Sequence, residues 1–278
     1  MSASRDASTQ NGYDDAVIDA VLALAVSRRR PQLIAISGLQ GSGKSTLAAQ
    51  LVAAARRRGR FALALSIDDF YFGRADRQRL ARRVHPLLAT RGVPGTHDVA
   101  LLMRTLDALG AARADRPAAL PRFDKGRDTR IAPSRWRRVT RPPALIVLEG
   151  WCVGVPPQAA GVLRRPLNIL ERDEDREGRW RAWVNDQLCA KYVALWRRFD
   201  RLVMLQAPSY AVVTRWRDEQ ELARRRRKAP RALSPVALGR FLMHYERLSR
   251  QALRELPARA DLRIVLDARR RVRRIVAG

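Results

Sequence analysis

Hydrophobic residues along this chain fall into short, continuous apolar runs separated by longer amphipathic stretches. The five runs are 33–36, 61–67, 144–148, 201–206 and 262–266. Runs of this length are typical of strands that are buried on both faces of a parallel sheet. Because such runs alternate with helical patterns, the sequence predicts an α/β fold whose parallel strands are joined by right-handed crossovers.

The stretches between the runs have either helical spacing or the composition of loops. A helix with its apolar face at Leu47, Leu51 and Ala55 is predicted to end near Gly59. Another helix is predicted over 179–198. Its tryptophans are predicted to pack in the core rather than to stack on nucleic-acid bases. Further helices are predicted over 16–30 and 74–84, from 96–98 onward, after 208–209, and over 234–256. Loops are predicted over 85–95 and 151–166, and a surface charge patch over 171–175.

The joint between the first apolar run and the helix that follows carries the most specific motif. Residues 38–45, GLQGSGKS, fit G-x-x-x-x-G-K-[ST] at every fixed position. Glycines let such a loop curl so that its N–H groups face inward and make an anion nest at a helix N-terminus. Lys44 is predicted to reach the β- and γ-phosphates of ATP, and Ser45 to ligate Mg²⁺. The alternative is a glycine-rich turn that matches by chance. The predicted nucleotide contacts are Gly38, Gln40, Gly41, Ser42, Gly43, Lys44, Ser45 and Thr46.

Carboxylates follow two of the apolar runs directly. Asp68 and Asp69 come after the second run, and Glu149 comes after the third. The carboxyl ends of parallel strands meet at one edge of a sheet, which is also the edge of the phosphate loop. One of the two aspartates can therefore serve as a base, and Glu149 can hold Mg²⁺ directly or through water. A helix cap or a solvated loop is the structural alternative for each.

The charge of the chain is strongly positive, with a formal net charge of +28 over 278 residues. Of the 55 cationic residues 4 are lysines, which leaves 51 arginines, spread along the whole chain. A basic protein raises nucleic acid or an anionic membrane as a partner. This distribution indicates a general use of arginine in place of lysine rather than a selected binding face. Nucleic-acid binding is therefore not expected as the main function.

Cysteine usage and the N-terminal composition bear on the compartment. Cys152 and Cys189 are far apart and have no metal-ligand spacing, so neither a disulfide framework nor a zinc site is expected. Residues 1–15 are polar and include acidic side chains, which does not fit a secretory signal, and no apolar run reaches membrane-spanning length. A soluble, cytoplasmic protein is expected.

Four segments together resemble the D-glycerate 3-kinase family. They are SIDDFY at 66–71, HPLLATRGVPGTHD at 85–98, PRFDKG at 121–126 and VLEGW at 147–151. The resemblance extends over residues 33–267. The sequence differs from the family pattern at Phe72-Gly73, where a Leu-Thr-like pair is expected. That family belongs to a wider group of P-loop kinases, with uridine kinase, phosphoribulokinase and bacterial pantothenate kinase.

The resemblance implies transfer of the ATP γ-phosphoryl group to a hydroxyl of a small acceptor, most specifically D-glycerate. Asp68 matches the general base of the wider group, and phosphoryl transfer does need a carboxylate aimed at the nucleophile. Asp69 is then either a supporting group near the metal or a residue that gives only polar support. Tyr71, within the same motif, is assigned to the acceptor site.

The acceptor site is also expected to include His97 and Asp98, because the matching acidic position in uridine kinase-like proteins contacts sugar hydroxyls. Asp98 could equally be a helix-dipole partner at the start of a helix. The acceptor carboxylate needs a cation, for which Arg122, Lys125 and Arg130 are candidates; each could instead be a solvated surface charge.

A helix after Pro208-Ser209 matches the position of the lid in related P-loop kinases. Arg215 and Arg217 on it are predicted to act on the transferring phosphoryl group, whereas the run 224–227 is predicted to be solvated. His244 is predicted to be structural.

These observations predict one P-loop kinase domain over 1–278, with its core at 31–268, its lid at 209–230 and a five-stranded parallel sheet in the order 2-3-1-4-5. ATP and Mg²⁺ are the expected cofactors. A nucleoside, a sugar phosphate or pantothenate is the alternative acceptor, and a nucleic-acid-associated NTPase is the alternative of a different class.

Overall fold

The structure is a computed structural model that describes residues 12–25, 31–226 and 233–278. Within these ranges two cysteines, buried Cys152 and exposed Cys189, are free thiols. No helix in the described ranges is long and apolar enough to cross a membrane. The part of the first predicted helix at 26–30 and the part of the predicted lid at 227–230 lie outside the described residues.

The helices predicted over 74–84, 179–198 and 234–256 begin and end close to the predicted positions, whereas the helix predicted over 16–30 ends at Ala23. In the part of the chain that the structure describes, four single turns of 3₁₀-helix accompany them, at Ile67–Phe70, Pro86–Ala89, Pro133–Arg135 and Leu256–Ala258, and one π-helical turn lies at Leu188–Tyr192. The helices are α1 Asp15–Ala23, α2 Lys44–Arg57, α3 Arg74–Arg83, α4 Val99–Gly110, α5 Ala160–Leu163, α6 Ile169–Glu174, α7 Arg179–Gln187, α8 Val193–Trp196, α9 Val212–Arg226 and α10 Pro235–Glu255.

Within the described ranges, ten strands form one six-stranded sheet and two small two-stranded sheets. They are β1 Gln32–Gly38, β2 Ala62–Ser66, β3 Ala118–Leu120, β4 Phe123–Asp124, β5 Thr129–Arg130, β6 Arg137–Val139, β7 Leu145–Gly150, β8 Arg201–Gln206, β9 Leu262–Leu266 and β10 Val272–Ala277. The large sheet has the order β10-β9-β8-β1-β7-β2. Its parallel strands, numbered along the chain, therefore lie in the order 2-3-1-4-5.

The prediction of a five-stranded sheet is incomplete, because a sixth strand extends it. Strand β10 pairs antiparallel with β9 at the edge of the sheet. Its sequence, VRRIVA, has arginines among the apolar residues and lacks the continuous apolar run of the buried strands. An edge strand is covered less than a central one, so its sequence carries a weaker hydrophobic signal.

Each face of the sheet is covered by its own hydrophobic core, because alternate residues of a strand point to opposite faces. In β1, Leu33 and Ala35 join the core that contains α4 and α7, whereas Ile34 and Ile36 join the core that contains α1 and α2. All seven residues of β1 are buried. Full burial on both faces accounts for the continuous apolar run in the sequence.

The assignment of 171–175 to the surface is confirmed for residues 172–174, which are exposed, but it is wrong for the two ends of the segment. Glu171 lies on α6 with 0% of its surface exposed, and Asp175 follows at 2%. Glu171 pairs with Arg247 of α10 at 2.6 Å, and Asp175 pairs with Arg181 of α7 at 2.8 Å. Buried charges are tolerated when they are paired in this way. The predicted loop 151–166 also contains the short helix α5.

Candidate active site

The phosphate loop joins β1 to α2 and needs glycine at two positions. Gly41 and Gly43 have φ values of 82° and 95°, a conformation that other residues rarely adopt. A Cβ atom at Gly41 would lie 2.8 Å from Cβ of Trp216, so α9 packs directly on the loop. Ser42 Oγ and both amide atoms of Gln40 are buried and have no hydrogen-bond partner among the described residues. A curled backbone with such polar atoms fits a phosphate chain.

Lys44 opens α2 from a buried position, with 9% of its surface exposed. Its Nζ donates a hydrogen bond to the carbonyl of Leu39 at 2.9 Å, within the loop itself. Burial lowers the pKa of Lys44, while the negative charges of Glu149 and Asp68 act in the opposite direction. The amine therefore lies in the field of both carboxylates, at the edge of the sheet where the sequence places the chemistry.

Ser45 and Glu149 form an oxygen pair suited to a divalent cation. Ser45 Oγ donates to Glu149 Oε1 at 2.9 Å. Adjacent ligands of an octahedral Mg²⁺ with bonds of 2.0–2.1 Å are about 2.9 Å apart, so the two oxygens fit that ion. The described ranges contain no group of three or more His, Cys, Asp and Glu side chains that could hold a metal. Mg²⁺ commonly uses one or two protein ligands together with water and phosphate oxygens, and this pair meets that requirement.

Asp68 lies on the 3₁₀ turn after β2 and is held by two partners. Tyr71 donates its hydroxyl hydrogen to Oδ1 at 3.0 Å, and Lys125 Nζ lies 2.5 Å from Oδ2. Burial alone would raise the pKa of Asp68, but the charge and the hydrogen bond of Lys125, together with the bond from Tyr71, hold it below its ordinary value. About a quarter of the side chain is exposed, at 25%. Asp68 is thus an ionised carboxylate that a ligand can reach.

Asp69 takes a different direction from the same turn. Its Oδ1 accepts the backbone N–H of Phe123 at 3.2 Å, and burial raises the pKa of its carboxyl. The turn, rather than an extended strand, separates the two aspartates. Asp69 therefore anchors the loop that carries Lys125, which is the supporting role expected for it.

His97 is buried between two tyrosines. Its ring stacks on Tyr71 with centroids 4.4 Å apart, and its Nδ1 lies 2.8 Å from the hydroxyl of Tyr192. A backbone bridge between Tyr71 and His97 holds the stack in place. Burial lowers the pKa of His97 to about 4, so the ring is neutral at pH 7. Its Nε2 has no hydrogen-bond partner among the described residues.

Asp98 and Arg130 hold each other beside this stack. Asp98 caps α4 by accepting the N–H of Leu101 at 2.9 Å, and its Oδ2 lies 3.3 Å from Arg130 Nη1. Arg130 also donates to the carbonyls of Phe70 and Tyr71. Asp98 thus lies at a helix start, as its alternative role of helix-dipole partner requires, and contact of either residue with an acceptor stays a prediction. Arg122 has an exposed side chain.

The two lid arginines have partners of their own. Arg217 pairs with Glu221 at 2.9 Å, and Arg215 bonds to the carbonyl of Ala268 in the turn between β9 and β10. Trp216 between them is fully buried against the phosphate loop. Helix α9 is therefore attached to the loop through Trp216, and action of the arginines on a phosphoryl group stays a prediction.

A clamp that sequence reasoning missed holds the hairpin β4–β5, whose connecting loop carries Lys125. Asp128, at a φ of 58°, pairs with both Arg77 and Arg91 at 2.5 Å. Arg77 has only 1% of its side chain exposed and also bonds to the carbonyls of Phe72 and Ala89. No spacing in the sequence signals these pairings, since the partners lie 37 and 51 positions apart.

Tyr13 and Tyr192 are two further residues that sequence reasoning missed. Tyr13 donates its hydroxyl hydrogen to the carbonyl of Ser42 at 3.0 Å, and its backbone pairs with the side chain of Gln50. It therefore supports the phosphate loop from outside. Tyr192, by contrast, contacts His97. A lone tyrosine has no motif, so neither contact could be predicted.

The chain is similar in sequence to known proteins. The chain is 34% identical over 223 residues to a protein named "Uncharacterized kinase mug58" from Schizosaccharomyces pombe, covering 78% of this chain and 79% of that protein. It is 33% identical over 204 residues to "D-glycerate 3-kinase, chloroplastic" from Arabidopsis thaliana. That alignment covers 70% of this chain but only 42% of the Arabidopsis protein. No family model matches the chain.

Among solved structures, a D-glycerate 3-kinase from Cryptococcus neoformans superimposes with a TM-score of 0.79. The match covers 95% of this chain and 98% of the fungal chain, at 22% sequence identity. At this identity the superposition establishes a shared fold.

Proposed function

The chain belongs to the D-glycerate 3-kinase family of P-loop kinases, and from this premise we propose that it transfers the γ-phosphoryl group of ATP to a hydroxyl of D-glycerate with the help of Mg²⁺. It is a phosphotransferase with an alcohol acceptor. The observation that carries the proposed acceptor is the position of Lys125, whose Nζ lies 2.5 Å from Asp68 Oδ2. Both side chains are partly exposed, Lys125 at 55% and Asp68 at 25%, so a ligand can reach them. A hydroxy acid offers a hydroxyl to Asp68 and a carboxylate to Lys125, and so matches this pair.

The proposed reaction assigns one task to each group. The loop N–H groups and Lys44 hold the phosphate chain, and Ser45 and Glu149 hold the metal, which when bound neutralises phosphate charge. Asp68 orients the acceptor hydroxyl and takes its proton as the acceptor oxygen bonds to the γ-phosphorus. The bond between that phosphorus and the β–γ bridging oxygen breaks, and ADP leaves. For this, Lys125 turns from Asp68 towards the acceptor carboxylate.

The test is an acceptor panel with the purified protein, ATP and Mg²⁺. D-glycerate, L-glycerate, uridine, ribulose 5-phosphate and pantothenate are compared by ADP release, with a single-stranded polynucleotide as a further arm. D-glycerate is expected to give the highest kcat/KM, and ³¹P NMR identifies which hydroxyl is phosphorylated. A higher kcat/KM with another acceptor, or ATP turnover that depends on the polynucleotide, would overturn the proposal.

Glu149→Gln is expected to raise the Mg²⁺ concentration needed for half-maximal rate, because a neutral amide is a poorer ligand for a hard cation. The amide can still accept the hydrogen bond from Ser45, so the fold should be retained. The measurement is a Mg²⁺ titration of the rate at saturating ATP. Glu174→Gln, which changes an exposed glutamate on α6, is the matched control. An unchanged titration would leave Glu149 with a structural role alone.

Lys125→Met is expected to move the acidic limb of the kcat/KM profile to higher pH. Burial raises the pKa of Asp68 and Lys125 lowers it, so loss of the cation lets burial dominate. The ionised base then disappears at a higher pH as the solution is acidified, and KM for D-glycerate also rises. Arg127→Met removes an exposed cation from the same hairpin and serves as the control. If the acidic limb stays at the same pH in Lys125→Met, Lys125 does not lower the pKa of the catalytic base, and this prediction is wrong.

A further inference from the structure

The hydroxyl of Tyr192 is surrounded by three polar groups inside the core. Tyr192 ends the π-helical turn Leu188–Tyr192 and is fully buried. Burial raises its pKa well above the ordinary value, and the backbone N–H groups of Gly95 and His97 act against that rise. The Gly95 N–H lies 2.9 Å from the hydroxyl oxygen. Single π-turns of this kind are frequent at functional sites.

The third polar group is His97 Nδ1, at 2.8 Å from the hydroxyl oxygen. A hydroxyl has one hydrogen to donate and two lone pairs that accept. Among the described residues, Nδ1 is the one acceptor within hydrogen-bond distance of the hydroxyl, because the Gly95 N–H is itself a donor, so the hydroxyl hydrogen is donated to Nδ1. The opposite arrangement would leave both the hydroxyl hydrogen and Nε2 without a partner. An imidazole nitrogen that accepts a hydrogen bond carries no proton, and the proton of the neutral ring is then on Nε2.

The resulting Nε2–H group is buried and unpaired. His97 has 2% of its surface exposed, and Nε2 has no hydrogen-bond partner among the described residues. A buried donor without a partner is costly in a folded protein, which makes this atom a place where a ligand oxygen would be stabilised. The ring stacks on Tyr71, whose hydroxyl donates to Asp68 at 3.0 Å. His97 is therefore linked to the candidate base through a single residue, Tyr71.

We propose that Tyr192 is a positioning residue for acceptor binding, which fixes His97 in the Nε2–H form so that this group donates a hydrogen bond to an oxygen of the acceptor. The inference rests on the proposed function, since it takes the hydroxylated acceptor to bind beside Asp68. Tyr192 itself does not touch the acceptor. Its effect reaches the ligand through the tautomer of His97.

The first test reads the tautomer directly by long-range ¹H–¹⁵N NMR of histidine-labelled protein. The chain has only three histidines, and the signals lost in His97→Gln identify those of His97. Wild type is expected to show protonated Nε2 and unprotonated Nδ1. Tyr192→Phe is expected to shift Nδ1 towards the protonated form. Protonated Nδ1 in the wild type, or an unchanged tautomer in Tyr192→Phe, would overturn the proposal.

The second test is kinetic and uses a matched tyrosine. Tyr192→Phe is expected to raise KM for D-glycerate about tenfold, the effect of one hydrogen bond, while KM for ATP stays unchanged. Tyr245→Phe removes another buried hydroxyl, which bonds to the carbonyl of Arg91 at 2.9 Å in the same core. A similar change in both variants would show loss of core packing and would also overturn the proposal.

The two proposals fail in distinguishable ways. If D-glycerate is not the acceptor, the wild-type enzyme gives no turnover with it, while the NMR spectra still report the tautomer of His97. The KM comparison is then made with the acceptor that the panel identifies. If D-glycerate is phosphorylated but Tyr192→Phe leaves both the tautomer and KM unchanged, the proposed function stands and the role of Tyr192 does not.

Discussion

Lys44→Ala is expected to remove kinase activity while the protein stays folded. Lys44 supplies the one cationic side chain of the phosphate loop, and its amine lies buried beside the charges of Glu149 and Asp68. A preorganised donor of this kind at developing phosphoryl charge is worth about 10²–10³-fold in kcat, which sets the minimum loss expected. The measurement is ADP release with D-glycerate at saturating ATP.

Two controls make this result interpretable. Thermal unfolding and circular dichroism should match the wild type, because the Lys44 side chain makes a single hydrogen bond to Leu39 within the described structure. Arg57→Ala removes an exposed cation from the opposite end of the same helix and should keep full activity. Near-normal turnover in a folded Lys44→Ala protein would contradict the role of this loop in phosphate binding.

Asp68→Asn is expected to lower kcat by roughly 10²–10⁴-fold, the usual contribution of a general base. The amide keeps the size of the side chain and can still accept from Tyr71, but it cannot take the acceptor's proton. The loss should therefore appear in kcat, with the affinity for ATP nearly retained. Steady-state kinetics at several ATP and D-glycerate concentrations separate these parameters.

Asp69→Asn is the paired control for that experiment. Asp69 accepts the N–H of Phe123, and an asparagine oxygen can do the same. We expect a smaller loss of kcat, with any further effect in the Mg²⁺ dependence of the rate. If Asp69→Asn is the more damaging of the two under the same conditions, the assignment of the base to Asp68 is wrong.

Local sequence patterns predicted the framework of the protein. The five apolar runs correspond to the five parallel strands β1, β2, β7, β8 and β9. Ser234 caps α10 by accepting from the N–H of Ala237, as its position before the apolar pattern indicates. These features depend on neighbours within one or two turns of the chain, because backbone hydrogen bonding and side-chain periodicity act over that distance.

Parts of the candidate site could be predicted for the same reason. Glycine spacing and strand ends brought the phosphate loop, Asp68 and Glu149 to one edge of the sheet, where Ser66 and Ile36 both lie in register with Glu149. The family resemblance predicted His97 and Lys125 as residues of the acceptor site. None of these patterns could supply the partner of either side chain.

The partners depend on the tertiary structure, because they come from segments far apart in the chain. Lys125 meets Asp68 across 57 positions, and Tyr192 meets His97 across 95. The burial of Glu171 likewise follows only from its pairing with Arg247, 76 positions away. A charged or polar residue has the same local pattern whether its partner is water or another side chain. The free energy of burying it is decided by that partner, and only the packing of distant elements provides one.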